Sequence, residues 1–408
     1  MSNESNPETA ASSDRPSRRS VLKTISSAGA IGIGMLGGVG TAAAGSGSSK
    51  QQAGRVAKRT VGYLGTKPEF ESWQEQGVRS PELFYAKIAS GSAQSGGGRT
   101  LTYTPSAWVF PIENRGEDVG YIAIGTIRSG TPVLTYGKSK APQRRLDSAM
   151  KVAKASGRSV HKRFLYHSGV QFGVETTDEK MVDLRGQSIK DLKPVENKDR
   201  LRFTSSGKKA NAPNWSGDTD DQVYGVPNWS DTDSGGGGST NIGTGRDSWD
   251  GWDGCVPIAI SMAIGYHEDI YEWEDNDREA LIDRLDMKVN TDDSGVTRWD
   301  RIDGGIEKYS AGKHSYNANN QYFNKKGNIK DSVGNDNPCV LNMTNGPYSK
   351  DAAWINGHSV TAVGYRTMSC GAFCNYTHYK VHNGYNESPD RVAGGNWTNA
   401  MVTRIKRK

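Results

Sequence analysis

GCVPIAISMAIGYH, residues 254–267, is the stretch from which the rest of the chain can be read. Pro257 lacks an N–H and has a fixed φ, which suits the first turn of a helix. Residues 256–266 are apolar nearly all round, which predicts a central helix buried on every side. Cys255 then stands at the helix N-terminus, where unsatisfied N–H groups and the positive end of the macrodipole favour thiolate over thiol. That is the environment of a nucleophile, although a cysteine that merely opens a core helix would look the same from this stretch alone.

Downstream, PCVLNMT (338–344), GHSVTAVGYR (357–366) and HYKVHNGY (378–385) read as strands. His358 begins the second directly after a glycine, and Asn383 ends the third directly before one. Two strands joined by a short excursion pair antiparallel, which brings the start of one beside the end of the other. His358 and Asn383 then become neighbours, the Asn383 amide orienting one imidazole nitrogen while the other faces the thiol. His382 falls on the opposite strand face from Asn383 and is the poorer base. A nucleophile–base–orienter set of Cys255, His358 and Asn383 follows.

These three blocks resemble the Cys, His and Asn blocks of papain-like cysteine peptidases. They are most similar to secreted relatives of the bacteriocin-leader-processing (double-glycine leader) peptidases, whose block begins Gly-Cys-x-Pro. The resemblance covers residues 222–408, with YGVPNWS from Tyr224 as the entry strand. It implies an α+β, papain-like fold in which a central helix packs on an antiparallel sheet. Cys255 would be nucleophile, His358 general base and acid, and Asn383 the orienting amide, with no cofactor and no metal. His358 follows Cys255 by 103 residues, which is too short for the papain–cathepsin branch. Where such enzymes place a Gln to donate into the oxyanion hole, this chain has Trp249, with the acceptors Asp250 and Asp253 nearby. The Cys255 N–H would give one donor, and Gln222, Asn241 or Ser248 a second.

Upstream, residues 203–221 are rich in Ser, Gly, Asn and Asp and read as a linker; PNWSGDTDD recurs in part as PNWSDTDS, without the spacing of a calcium loop. Residues 45–202 read as a separate α+β domain. LTYTPSAWVF, DVGYIAIGTI and TPVLTYGKS form a strand meander, a cationic helix follows from Pro142 to Gly157, and RFLYHSGVQFGVE and KMVDLRG add strands. His161 and His167 have no nucleophile near them and read as solvated or core residues. VGYIAIGTIRSGTPVLTYGKS is similar to the inhibitory prosegment of streptopain-like peptidases, which implies a zymogen whose own prodomain is an intramolecular inhibitor.

The charge distribution supports such a lock. The chain carries 51 Lys and Arg against 45 Asp and Glu; residues 1–200 hold 29 against 18, the remainder 22 against 27. A basic domain would sit on an acidic one, held by attraction that molar salt screens. Trp108, Phe110 and Tyr121 would carry the contact if salt removed that attraction.

Residues 1–44 contain Arg18-Arg19, a weakly apolar Gly- and Ala-rich stretch, and Ala42-Ala43-Ala44. This resembles a twin-arginine signal peptide and implies a secreted or cell-surface protein exported folded from a prokaryotic cell, with no stable membrane span once the signal is removed. Four cysteines in 408 residues are no disulfide scaffold. Cys370, Cys374, His378 and His382 are spaced by four, which raises zinc, but a Cys370–Cys374 disulfide at a hairpin tip suits an exported chain better. Cys339 reads as an inert buried thiol. No Gly-Lys-Ser/Thr loop or transporter span is present, which excludes a leader-processing exporter, and nothing calls for a nucleic-acid partner. The expected function is a cysteine peptidase acting on a peptide or protein substrate. The alternatives are an inactive papain-fold binding protein, or an amidase or acyltransferase with the same triad.

Overall fold

The strand that opens with His358 is the hub of the fold. In the computed structural model it runs Gly357–Ser369 and pairs antiparallel with three others. The structure describes residues 49–74, 77–90, 100–126, 131–184, 189–190, 213–229, 254–270, 275–292, 296–309, 312–344, 357–371, 374–384, 388–397 and 399–408. All belong to one compact unit, Ser46–Lys408. The twin-arginine segment, 1–44, lies outside the described residues.

In chain order the helices are α1 (Lys50–Gly65), α2 (Leu146–Ala155), α3 (Cys255–Glu268), α4 (Asp275–Val289), α5 (Ile302–Glu307) and α6 (Lys325–Gly334). The N-terminal strands are β1 (Gly77–Val78), β2 (Glu82–Ser90), β3 (Thr100–Asn114), β4 (Glu117–Gly125), β5 (Val133–Gly137), β6 (Val160–Ser168), β7 (Gln171–Thr176), β8 (Met181–Asp183) and β9 (Ile189–Lys190). The rest are β10 (Gly217–Gln222), β11 (Tyr316–Gln321), β12 (Cys339–Thr344), β13 (Gly357–Ser369), β14 (Asn375–His382), β15 (Asp390–Ala393) and β16 (Asn399–Arg407). The class is α+β. The expected antiparallel sheet is found among the described residues from β10 to β16, and the parallel pairing, β2 with β6 at Tyr85 and Leu165, lies in the N-terminal region.

Local chemistry accounts for the main elements. α1 turns Ala53, Val56, Ala57, Val61 and Leu64 inward at helical spacing, and Ser49 Oγ caps it by accepting from Gln52 N at 3.2 Å. Pro142 opens a short 3₁₀ turn that leads into α2, and Gly157 ends the helix region at φ +69°. The end of the expected linker, from Gly217, is a strand: β10 pairs residue for residue with the Gly364–Ser369 half of β13. Its alternating Asp residues are tolerated because Arg366 binds Asp220 at 2.8 Å and Asp218 at 3.3 Å. Residues 224–229 of the YGVPNWS run form no strand; they follow β10 and bury Val226 and Trp229.

One sheet crosses from the N-terminal region into the rest of the chain, through β5 and β15: Gly137 faces Asp390, Tyr136 faces Arg391 and Thr135 faces Val392. Met368 of β13 completes the apolar cluster of α1, β4 and β5. The charges at this seam run both ways: Lys67 of the N-terminal region binds Asp218 of β10 at 2.6 Å, while an acid faces the other way. Glu69, from the N-terminal region, takes Lys380 at 3.0 Å, Arg366 at 3.4 Å and Arg391, whose side chain is 2% exposed.

Candidate active site

α3 begins at Cys255 because Gly254 turns the chain at φ +100°, a conformation that a Cβ disfavours. Cys255 is partly exposed, whereas Val256 to Tyr266 are buried against β12, β16 and α4. Two contacts fix where this helix end lies. Thr361 Oγ1, three residues beyond His358, donates to the Ala259 carbonyl at 2.7 Å. A Cβ placed on Gly384, the residue after Asn383, would lie 3.3 Å from Ile258 Cγ2. Ile258 and Ala259 are one turn beyond the thiol, so the first turns of α3 pack on the Thr361 face of β13, which by strand alternation is the face opposite His358, and beside the turn at Gly384.

His358 and Asn383 are 3% and 2% exposed. His358 alternates with Val360 and Ala362, Asn383 with Val381, and Ala362 pairs with Val381, so the two rise from one face. His358 Nε2 lies 3.1 Å from the main-chain oxygen of Asn383. A carbonyl only accepts, so Nε2 carries the proton in this contact and Nδ1 is the basic nitrogen. The sequence had suggested that the amide would orient the ring; here the main chain does. The Asn383 amide instead donates to Asp390 Oδ2, because a buried carboxylate is the stronger acceptor.

Asp390 is wholly buried, and no sequence signal marked it. Its second oxygen accepts from Tyr121 Oη at 2.9 Å. It lies opposite Gly137, where a Cβ would approach Asp390 Oδ1 to 2.2 Å, so only glycine leaves room for the carboxylate.

The tip of the β6–β7 hairpin covers the His358 face. Gln171 Nε2 donates to the Gly357 carbonyl at 2.9 Å and Gly169 N to the Asn396 carbonyl at 3.2 Å. Val170, 1% exposed, packs with Met343, Val360 and Ala400, and Met343 is the cross-strand partner of His358.

Of the expected oxyanion donors, Gln222 is misplaced. It pairs with Gly364, six residues and about 20 Å along β13 from His358, and its side-chain oxygen accepts from Lys380. Asn241, Ser248, Trp249, Asp250 and Asp253 lie outside the described residues.

The evenly spaced Cys and His residues do not converge. Cys370 and Cys374 form a disulfide at the β13–β14 tip. His378 Nε2 meets the Val133 carbonyl at 2.9 Å and His382 Nδ1 the Pro227 carbonyl at 2.8 Å. Burial pushes both imidazoles down to about 4. Among the described residues, no group of three or more His, Cys, Asp or Glu side chains is placed to hold a metal ion. Burial pushes the Cys339 thiol up to about 12, which leaves it unreactive at neutral pH. His161 is exposed on β6. Among the described residues, no helix is long and apolar enough to cross a membrane.

No protein-family model matches the chain, and the curated proteins contain no significant match to it.

Proposed function

We propose that this chain is a secreted, papain-like cysteine peptidase made as a zymogen. Cys255 is the nucleophile, His358 the general base and acid, and Asn383 the residue that orients the imidazole. The observation that carries this reading is the Asn383 carbonyl on Nε2 of a buried histidine at a strand start, in a sheet that also holds, through Thr361, the helix that opens with a partly exposed thiol.

The chemistry follows from the proton positions. With Nε2–H held by a carbonyl, Nδ1 can take the thiol proton. The thiolate then attacks a peptide carbonyl carbon, the imidazolium returns its proton to the departing amine, and water, with the same nitrogen as base, hydrolyses the acyl-enzyme. The Cys255 N–H at the helix start is one donor available to the oxyanion.

The 45–202 region is the inhibitory prodomain in this reading, and the hairpin tip on the His358 face supports it. A chain exported folded needs such a mask until it has left the cytosol.

The test is a thiol-directed covalent probe applied to the full chain, with peptide hydrolysis followed after limited proteolysis. Labelling and turnover should both vanish in Cys255→Ala. Retained turnover in that variant refutes the assignment.

A further inference from the structure

The geometry points to Asp390 as a positioning residue: its carboxylate tethers the Asn383 amide so that the Asn383 carbonyl stays on His358 Nε2, and Tyr121 steadies the carboxylate from the N-terminal region. This rests on the peptidase reading above and adds a group to it.

Three features set Asp390 apart from an ordinary core polar residue. Its two oxygens are divided between the two parts of the chain, one taking an amide seven residues away and the other a phenol 269 residues away. A neutral acceptor would satisfy both donors without the penalty of burying an ionised carboxylate. The neighbouring cation gives no relief, because Arg391 lies on the other face of β15 with Glu69.

Asn383 also needs a tether. β14 ends at His382, and the chain turns at Gly384 with φ +75°. The carbonyl that meets His358 therefore lies just past the ladder, and the side-chain bond to β15 holds it there. A negative charge two links from the imidazole favours the imidazolium, the form that stabilises a neighbouring thiolate.

The experiment uses the full-length chain and iodoacetamide, small enough to reach a partly exposed thiol. Alkylation of Cys255 is followed by peptide mass against pH, with thermal unfolding in parallel. The wild-type chain should retain fast alkylation at mildly acidic pH, and His358→Ala should lose it. If His358→Ala keeps it, the peptidase reading itself fails. With that control satisfied, Asp390→Asn should lower the acid-side rate about tenfold, the effect of one pKa unit on the thiolate fraction. Tyr121→Phe should lower it about threefold, half a unit in the same direction. A purely structural role would lower the unfolding temperature and leave the pH profile in place. If Asp390→Asn does not fold, Tyr121→Phe decides alone. A wild-type profile in every folded variant, with His358→Ala altered, overturns the inference.

Discussion

Gln171 donates its side-chain amide to the main-chain carbonyl of Gly357, the residue that precedes His358, across 186 positions of sequence. The bond ties the β6–β7 tip to the first residue of β13, and Val170 beside it packs in the apolar cluster that holds Met343. Val170→Ala should remove about 1–3 kcal/mol from this contact by leaving a cavity. The expected outcome is faster probe labelling of Cys255 in the intact precursor. A labelling rate equal to wild type would show that the hairpin tip does not mask the thiol.

Asn383→Ala should be milder than His358→Ala. The imidazole is held by a main-chain oxygen, which survives truncation of the side chain, so the substitution removes the tether and not the orienting acceptor. We expect a rate loss of about 10–100-fold for Asn383→Ala, the range seen when a supporting partner of a functional ligand is removed, against near-complete loss for His358→Ala. Equal loss in both, measured by peptide hydrolysis, would mean that the amide itself orients the ring.

Glu69→Gln should loosen the seam in a way that salt does not imitate. The carboxylate faces Arg366, Lys380 and Arg391, whose side chains are 6%, 15% and 2% exposed. Removing this acid leaves buried cations, Arg391 above all, with less compensation, a loss of about 3–5 kcal/mol. Because buried pairs are screened weakly, unfolding in molar salt should leave the wild-type seam intact. The regional charge balance had suggested a salt-sensitive lock, and separation of the two parts in molar salt would restore that view.

Stability should fall as pH drops from about 6.5 towards 4. Burial lowers His267, His378 and His382 to about 4 in the folded chain. The unfolded chain, with ordinary histidines, takes up protons first, so their contribution is fully present above pH 6.5 and is lost on acidification. Each ring accounts for roughly 1–3 kcal/mol. His378→Gln, which removes one such ring at the β5 contact, should flatten the acid limb of the unfolding temperature; an unchanged limb would remove His378 from this account.

What could be read from residues alone was what local pattern dictates. The Cys-Pro start of α3, the strand holding His358, the cationic helix after Pro142 and the β-meander all carry their own periodicity or turn chemistry. α1 carried a stripe as regular as any, with Ser49 before it, but it lay in the shadow of the signal segment and was not assigned. Asp390 and Glu69 were beyond reach for a different reason. Each is a common acid in a short element without a pattern of its own, Asp390 at the start of β15 and Glu69 in a 3₁₀ turn, and its meaning comes from partners 269 and 322 positions away, brought close by the β5–β15 pairing. Another pairing, β10 with β13, explains why Asp220 and its neighbours, read as a solvated linker, lie in a strand: Arg366 supplies a charge that composition could not locate.

The short pairing of β5 with β15 gives Arg391 two occupations. While the sheet is continuous, its guanidinium lies against Glu69, 2% exposed, and holds the two parts together. Were the N-terminal region removed, as the zymogen proposal requires, β15 would become a bare sheet edge, the kind of surface that recruits strands from other molecules. Arg391 would then stand on that edge freed of its acid, and a charge in that position repels incoming strands. In the zymogen reading, the residue that fastens the two parts would thereby also keep a released catalytic part from assembling with its own copies.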